Sequence, residues 1–433
     1  MAGHFDTIFA PITAPGRAAV AVIRVSGSLA FEVVRGVFAG LPNEPESHRA
    51  YFGQFSTGDE GLALAFAEGR GYTGDPSVEL TVHGSPVAVG LLLDALERQG
   101  ARPAEPGEFT RRAFLNGRLD LTQAEAVRDT VDAETDAQFR AANRVRQGHL
   151  HARLANAMAP AKDVLVAIEA SVDFSEEIGF LDRAAALPKL QRSLAAFQTL
   201  LETAAWGRLS REGAVVALVG APNAGKSSLL NALLGRDRAL VTPVAGTTRD
   251  TVEEMTEIEG VPCRLIDTAG LRETADLVEG LGIERSRDAS RGADLILYVV
   301  DAQLGLSPED HQEIRRLTSP HLVVMNKVDL VPGQTGVSAT TGAGLLDLRH
   351  AIRLALAGQA NASDVAINAR HQPLLERAIA GVQLAIDCLE SDQPDDLASV
   401  ALRDALFAVG EITGEHASAD ILDRIFHDFC IGK

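Results

Sequence analysis

Cysteine and positive charge are scarce in this chain, and long apolar runs are missing altogether. The 433 residues include Cys263, Cys388 and Cys430 and no other cysteine. An odd number without Cys-x-x-Cys or Cys/His metal spacing excludes a disulfide framework and points to a reducing compartment. The 40 basic residues stand against 59 acidic ones, a formal net charge of −19. That balance excludes broad electrostatic binding to DNA, RNA or an anionic membrane, so any nucleic-acid contact has to be local or carried by a partner. No stretch reaches the roughly 18 apolar residues of a membrane span. Met1 to Ala10 lack a basic region followed by an apolar core, so a soluble, unexported, cytoplasmic protein is expected. There is no internal repeat and no low-complexity tail.

What is present supports large cores. Hydrophobic residues make up 46% of the chain, and the length suits about three domains. Residues 1–118 alternate short apolar runs (19–25, 62–67 and the period-two Val78 to Val82) with a helical pattern at 86–98, joined by Gly/Pro-rich segments at 15–16, 69–74 and 103–107. This reads as an α/β domain. From 119 to 212 the texture turns to Ala-rich helix. Thr122-Gln123-Ala124-Glu125 is expected to open a helix as a capping box, and further helices are expected at 137–157, 161–172 and 187–205. Between Ala137 and Lys162 no acidic residue occurs, while Arg140, Arg144, Arg146, Arg153 and Lys162 do. That stretch is read either as a solvated helix face or as an RNA or partner contact. Strands and helices alternate through 213–357 as a doubly wound, mostly parallel sheet requires. Helix returns at 358–433, with Asp395-Asp396 placed to cap one helix and Ile421, Leu422, Ile425, Phe426 and Phe429 forming an apolar stripe on another. The expected architecture is multidomain α/β plus α: an N-terminal α/β domain, an all-helical domain in two parts that pair in space, and a Ras-like P-loop G domain inserted between them.

The strongest motif is Gly220 to Ser227, with an apolar strand at 214–219 before it and a helix at 228–233 after it. Strand, glycine loop and helix together are the P-loop context. Backbone N–H groups of Asn223, Ala224, Gly225 and Ser228 and the helix N-terminus are expected to cradle phosphates. Lys226 would reach the outer ones, and the Ser227 hydroxyl would sit on Mg²⁺. Downstream, Asp267-Thr268-Ala269-Gly270 ends a strand at 263–266; its carboxylate can hold Mg²⁺ through water, and the Gly270 N–H can meet a γ-phosphate. Between them lies a polar loop in which Thr248 is a candidate second Mg²⁺ ligand.

Base choice is read from Asn326-Lys327-Val328-Asp329 after the apolar run 322–325. A carboxylate at Asp329 accepts from guanine N1–H and its exocyclic amine, whereas adenine would leave it unpaired at a cost of a few kcal/mol. The Lys327 stem can lie along the base. Ser338-Ala339-Thr340, after an expected short strand at 335–337, offers backbone N–H groups to the guanine carbonyl. The nucleotide is therefore GTP. Where Ras-like enzymes carry a water-orienting Gln, this chain has Leu271, so the water and the developing charge need other groups. Asn223 can place a side-chain oxygen beside the β/γ phosphates for a monovalent cation, and Glu279 is either a group that polarises water or a solvated carboxylate.

Gly246 to Asp250, Asp267 to Glu273, Pro15-Gly16-Arg17, Ile23 to Gly27, Pro106 to Phe109, Arg112 to Leu121 and above all the terminal Phe429-Cys430-Ile431-Gly432-Lys433 resemble the tRNA-modification GTPase family MnmE, also called TrmE. The resemblance covers essentially the whole chain. It implies a homodimer formed through a folate-binding N-terminal domain (1–118). It also implies work with an FAD-binding MnmG (GidA) protein in a heterotetramer or larger assembly, and tRNA as substrate. The implied reaction adds a (carboxymethyl)aminomethyl group to carbon 5 of the wobble uridine, position 34. Its one-carbon donor would be 5,10-methylene-tetrahydrofolate, for which 5-formyl-tetrahydrofolate is an analogue. By the same resemblance Asn223, Thr242, Val244 and Thr247 hold K⁺, within a GTP-binding loop that also includes Pro243, Ala245 and Gly246. Ser227 and Thr248 hold Mg²⁺, and Glu279 activates water. Arg24, Glu79, Arg118 and Lys433 bind folate, and Cys430 is a candidate functional thiol whose role stays open. One departure is that Asp75-Pro76-Ser77-Val78 precedes Glu79 where the family suggests a Gly-Glu-Asp-like run, so the loop beside the folate residues is expected to differ.

The alternative from another class is a non-enzymatic GTPase switch in ribosome assembly or RNA folding. Such proteins usually add a basic RNA-binding module, and the charge of −19 weighs against one. A folate enzyme with a merely structural nucleotide domain is disfavoured because both switch segments are intact in the sequence.

Overall fold

The computed structural model describes residues 6–173, 180–235, 253–267, 292–357, 367–391 and 393–433. The chain divides into two compact units, Met1–Arg128 with Val409–Lys433, and Asp129–Ala408.

In the first unit β1 (Ile8–Pro11), β2 (Val20–Ser26), β3 (Arg49–Gln54), β4 (Glu60–Phe66), β5 (Ser77–His83) and β6 (Arg102–Pro103) form one sheet in the order β3-β4-β5-β2-β1-β6. Its pairs are antiparallel except β1 with β6. Strand alternation decides what each face carries. Ala21, Ile23 and Val25 of β2 and Val78, Leu80 and Val82 of β5 are buried in one core with Val33, Val34 and Val37 of α1 (Ala30–Val37) and Leu92 and Leu96 of α2 (Pro86–Arg98). The residues between them, Arg24 and Glu79 among them, therefore belong to the other face. On that side α3 (Glu108–Leu115) brings Phe109 against Ile8 and Ala10.

α4 (Leu121–Asp132) packs Leu121, Ala124 and Val127 on Leu422, Phe426 and Phe429 of the chain's last segment. Its start corrects the expected capping box. Asp120, not Thr122, is the cap: the Gln123 N–H donates to Asp120 Oδ1 at 2.9 Å and the Asp120 N–H donates to Gln123 Oε1 at 3.0 Å. Thr122 is fully buried in the first turn and gives its hydroxyl proton to Asp120 Oδ1 at 2.6 Å.

In the second unit the helices are α5 (Asp136–Arg146), α6 (His149–Asp173), α7 (Arg183–Leu201) and α8 (Ala204–Glu212). The break expected before residue 161 falls instead at Gly148, whose φ of 84° ends α5, and α6 runs on through Pro160. After α8 come β7 (Ala214–Val219), α9 (Lys226–Leu234), β8 (Glu253–Ile258), β9 (Val261–Asp267), β10 (Leu295–Asp301), α10 (Pro308–Arg316), β11 (His321–Asn326), α11 (Leu345–Ala357) and α12 (His371–Glu390). α7 packs on both α6 and α12, so helices from either side of the sheet segment meet. A further helix, Asp395–Thr413, has Asp395 and Asp396 inside its first turn rather than before it, and Asp395 accepts from Arg183 at 2.8 Å.

The second sheet runs β11-β10-β7-β9-β8, parallel except for β8 at its edge. Central β7 and β10 are nearly continuous apolar runs, as strands covered on both faces require, whereas edge β8 carries Glu253, Glu254 and Glu257; Val216, Leu218, Leu265, Leu297 and Val299 share a core with Leu229 and Leu233 of α9. The short strand expected at 335–337 is a single parallel bridge from Val337 to Asn326. The chain leaves central β7 for β9 on one side and reaches β10 on the other, which opens a crevice at the carboxyl end of β7. Among the described residues no helix is long and apolar enough to cross a membrane.

Candidate functional site

Between β7 and α9 the backbone has to reverse in a few residues, and its glycines stand where a side chain has no room. Gly220 (φ 143°) faces the Val299 carbonyl and Gly225 (φ 89°) faces the Asn326 amide; a Cβ on either would collide. Asn223 also takes a left-handed conformation, φ 66°, which a short polar side chain tolerates better than most. The Lys226 ammonium donates to the carbonyls of Gly220 at 2.9 Å and Ala221 at 2.8 Å. Ser227 and Ser228 are exposed in the first turn of α9. The Ser227 hydroxyl donates to Oδ2 of buried Asp267, at the end of neighbouring β9, at 2.6 Å. A hydroxyl and a carboxylate that meet beside a helix N-terminus are oxygen donors of the kind Mg²⁺ takes.

The loops after β10 and β11 complete the crevice. Asn326 ends β11 and is 1% exposed. Its Nδ2 donates to the Ala224 carbonyl at 3.0 Å, and its Oδ1 accepts the Ala339 N–H at 3.3 Å. One amide thus joins the phosphate loop to the loop at 338–340. Lys327 (φ 66°) points its ammonium at the Asn223 carbonyl and at Asp301 Oδ2, both at 2.7 Å. Asp329 lies exposed in the 3-10 turn Val328–Leu330. Ser338 is buried, its Oγ accepts the Thr341 N–H at 3.1 Å, and Thr340 is exposed.

Sequence reasoning placed Asn326 with the base and passed over Asp301. The hydrogen bond from Lys327, with another from the Gln303 N–H, holds the Asp301 carboxyl below its ordinary range. Its position as the last residue of a parallel strand, at the sheet's carboxyl edge, was the available signal. Thr242, Pro243, Val244, Ala245, Gly246, Thr247, Thr248, Thr268, Ala269, Gly270, Leu271 and Glu279 lie outside the described residues.

The first unit gathers a separate polar site. Arg24 and Glu79 are direct partners in the β2–β5 register, and Arg24 Nη2 meets Glu79 Oε1 at 2.8 Å. The guanidinium lies 4.7 Å from the centre of the Tyr72 ring and 5.5 Å from that of Phe109, a cation–π setting that fixes its plane. The Phe109 N–H donates to the Lys433 carbonyl at 3.2 Å, which brings the chain's last residue to the same neighbourhood. Gly432 (φ 97°) packs on Pro11 with no room for a side chain, while Cys430 is exposed. Arg118 is exposed and donates to the Gly69 carbonyl at 3.1 Å, in the loop that carries Tyr72. Asn116 anchors that loop through the Thr73 carbonyl at 2.8 Å and Asp75 Oδ1 at 3.0 Å. Tyr72 and Phe109 were legible only as part of a Gly-rich joint and a Pro-Gly-Glu-Phe turn, and neither pattern announces a stacked arginine.

Of the basic stretch, Arg140, Arg144 and Arg146 lie on α5 and Arg153 and Lys162 on α6. Arg140 reaches Asp136 at 3.3 Å and Arg146 donates to Asn143 Oδ1 at 2.9 Å. These are local contacts on the helix that carries them. Among the described residues no cluster of His, Cys, Asp and Glu has metal-site geometry.

Residues 7–118 match the family model described as the GTP-binding protein TrmE N-terminus, and residues 121–430 match the MnmE helical domain. Similar curated proteins named tRNA modification GTPase MnmE include those of Moorella thermoacetica (42% identical over 99% of both chains) and Listeria welshimeri (38%, 99% of this chain and all of that one). The Aquifex aeolicus protein of that name is 40% identical over 99% of this chain and 100% of its own. Matched from end to end by these relatives and over most of its length by the helical-domain model, the chain belongs to the MnmE (TrmE) family of tRNA-modification GTPases.

Proposed function

We propose that this chain couples K⁺-dependent GTP hydrolysis to folate-dependent modification of the wobble uridine of certain tRNAs in the cytoplasm. The observation that carries the reading is the meeting of Ser227 with Asp267 at the N-terminus of α9, beside a glycine loop tied by Asn326 and Lys327 to the base-side loops. Phosphate binding draws the Lys226 ammonium from the carbonyls of Gly220 and Ala221 to the nucleotide, while the N–H groups of Asn223 to Ser228 surround the phosphates. Asp329 selects guanine, with backbone donors from 338–340 on its carbonyl. Ser227 and Thr248, with Asp267 through water, would hold Mg²⁺, which would supply charge neutralisation at the phosphates. Asn223, Thr242, Val244 and Thr247 would hold K⁺, which would supply the positive charge that an arginine finger supplies elsewhere. Glu279 orients the attacking water, since Leu271 has no hydrogen-bonding group.

In the first unit Glu79 receives the amide and amino edge of the pterin, and Arg24, Arg118 and Lys433 receive its carbonyl and glutamyl carboxylates. The folate supplies the one-carbon unit. The chain works as a homodimer joined through residues 1–118, with an FAD-binding MnmG-type protein that forms a heterotetramer or larger complex with it. The test is mass analysis of wobble uridines in tRNA from cells lacking this chain, with and without complementation. Loss of the aminomethyl-type modification is expected; unchanged uridines would favour a GTPase switch acting elsewhere on RNA.

A further inference from the structure

Asp301, the last residue of β10, has no role in the proposed function, yet it faces the phosphate loop through a single intermediary, Lys327. β10 and β11 pair in parallel up to Asp301 opposite Asn326, and the Ala302 N–H closes the ladder on the Asn326 carbonyl at 2.8 Å. The next residue of the β11 chain, Lys327, is thereby delivered beside the Asp301 carboxylate. Both oxygens of that carboxylate are engaged: Oδ1 accepts the Gln303 N–H at 2.9 Å and Oδ2 accepts the Lys327 ammonium at 2.7 Å. The ammonium spends a second proton on the carbonyl of Asn223, also at 2.7 Å. Asn223 and Lys327 both hold left-handed backbone conformations, φ 66° each, which cost non-glycine residues free energy and persist only where neighbours enforce them.

We infer that Asp301 is a positioning residue for monovalent-cation activation: it fixes and neutralises Lys327, whose ammonium clamps the backbone of Asn223. The charge argument is as direct as the geometric one. A cation bound by the Asn223 side chain would share that residue with an ammonium already on its carbonyl, and two like charges at such range repel unless a carboxylate offsets one of them. Asp301 is 13% exposed at its side chain and Lys327 31%, so the offset is screened less than at an open surface. Asp301 acts through Lys327, to which its Oδ2 is bonded. The link also joins two recognition events, since Lys327 belongs to the base-reading loop and Asn223 to the phosphate loop. This inference rests on the proposed role of Asn223 in holding K⁺.

The experiment uses the full chain and Asp301→Asn, which keeps an acceptor for Lys327 and removes the charge, beside Asp301→Ala, which removes both. Amide hydrogen exchange of nucleotide-free protein in peptides spanning 220–227 reads the clamp without any activity measurement. Exchange there should quicken in Asp301→Ala and less in Asp301→Asn; unchanged exchange in both would overturn the clamp. Titration of GTP turnover with K⁺ then reads the coupling. Half-saturating K⁺ is expected to rise roughly threefold to tenfold in Asp301→Asn, the size of coupling common between contacting groups, with a smaller change in GDP affinity. A rise in exchange without a shift in half-saturating K⁺ would overturn the coupling to the cation. Equal wild-type rates in Na⁺ and K⁺ would instead overturn the K⁺ reading of Asn223 together with the coupling built on it, while hydrogen exchange alone would still decide the clamp.

Discussion

Ser227 and Asp267 are separated by a helix, an edge strand and a hairpin in the sequence, yet the hydroxyl of one donates to the carboxylate of the other at 2.6 Å. The parallel pairing of β7 with β9 makes this possible, because both strands end at the same edge of the sheet and the glycine loop after β7 returns the start of α9 to it. The hydrogen bond satisfies two polar groups that an Mg²⁺ ion would otherwise organise. Asp267→Asn keeps the shape and an acceptor for the Ser227 proton but removes the charge. Turnover of GTP should fall by roughly two orders of magnitude, as losses of single charge-stabilising groups do, and the Mg²⁺ needed for half-maximal rate should rise. A titration of GTP turnover with Mg²⁺ checks it, and an unchanged Mg²⁺ requirement would remove Asp267 from the metal site.

Asn326 makes a separate prediction, because its amide is occupied on both ends by backbone. Asn326→Ala strands the buried Ala224 carbonyl and leaves the half-buried Ala339 N–H without its partner. Unsatisfied buried groups cost roughly 1 to 3 kcal/mol each where water cannot reach them. The variant should lose stability in urea denaturation and bind GDP more weakly, whereas Asn326→Asp, which keeps only the acceptor, should lose the Ala224 bond and gain a repulsion there. If Asn326→Ala melts like wild type and loses only guanine selectivity, the residue reads the base and does not tie the loops.

These two residues also mark what was legible in the sequence. Gly220 to Ser227 was legible because strand, glycine loop and helix are local and leave the backbone one way to turn. The role of Asn326 was not, since its partners at 224 and 339 are distant in the chain and meet only when the sheet closes. Arg24 and Glu79 look like two solvated charges when read singly; a resemblance to a family singled them out, and the β2–β5 register explains why they touch. At α4 the expected cap is Thr122 and the observed one is Asp120, two residues earlier. Packing chose between them, because Thr122 is drawn into the buried first turn beside Leu121 and only Asp120 is left outside to cap.

Acid should loosen the first unit in a defined window. Burial pushes the Glu108 carboxyl up, but bonds from Arg102, the Glu105 N–H and Arg112 outweigh it and bring the group down to about 2 from an ordinary 4.5. Asp6 is held low by the same two arginines, again against burial. A carboxyl with a depressed folded pKa adds stability that is fully present above its unfolded value and fades as pH falls toward the folded one. Glu108→Gln should therefore be less stable than wild type at pH 7, and the difference should shrink progressively below pH 4.5. Denaturation followed by pulsed hydrogen exchange in peptides from α3 measures it, and a difference that stays constant down to pH 2 would contradict the ion network.

The three thiols should separate by reactivity. Cys263 is fully buried in the second core, and burial, outweighing the bond it receives from the Ile258 backbone and the field of Arg349, pushes its thiol up to about 12. Cys388 is buried as well, within α12, while Cys430 is exposed two residues before Gly432 turns the chain onto Pro11. Since the thiolate is the reacting form, a thiol that is both shielded and raised has almost none of it at neutral pH. Brief treatment of native protein with iodoacetamide at pH 8, read by peptide mass spectrometry, should label Cys430 alone, with Cys263 and Cys388 appearing only after denaturation. Native labelling of Cys263 at a rate near that of Cys430 would mean that the sheet of the second unit opens far more often than its packed core allows.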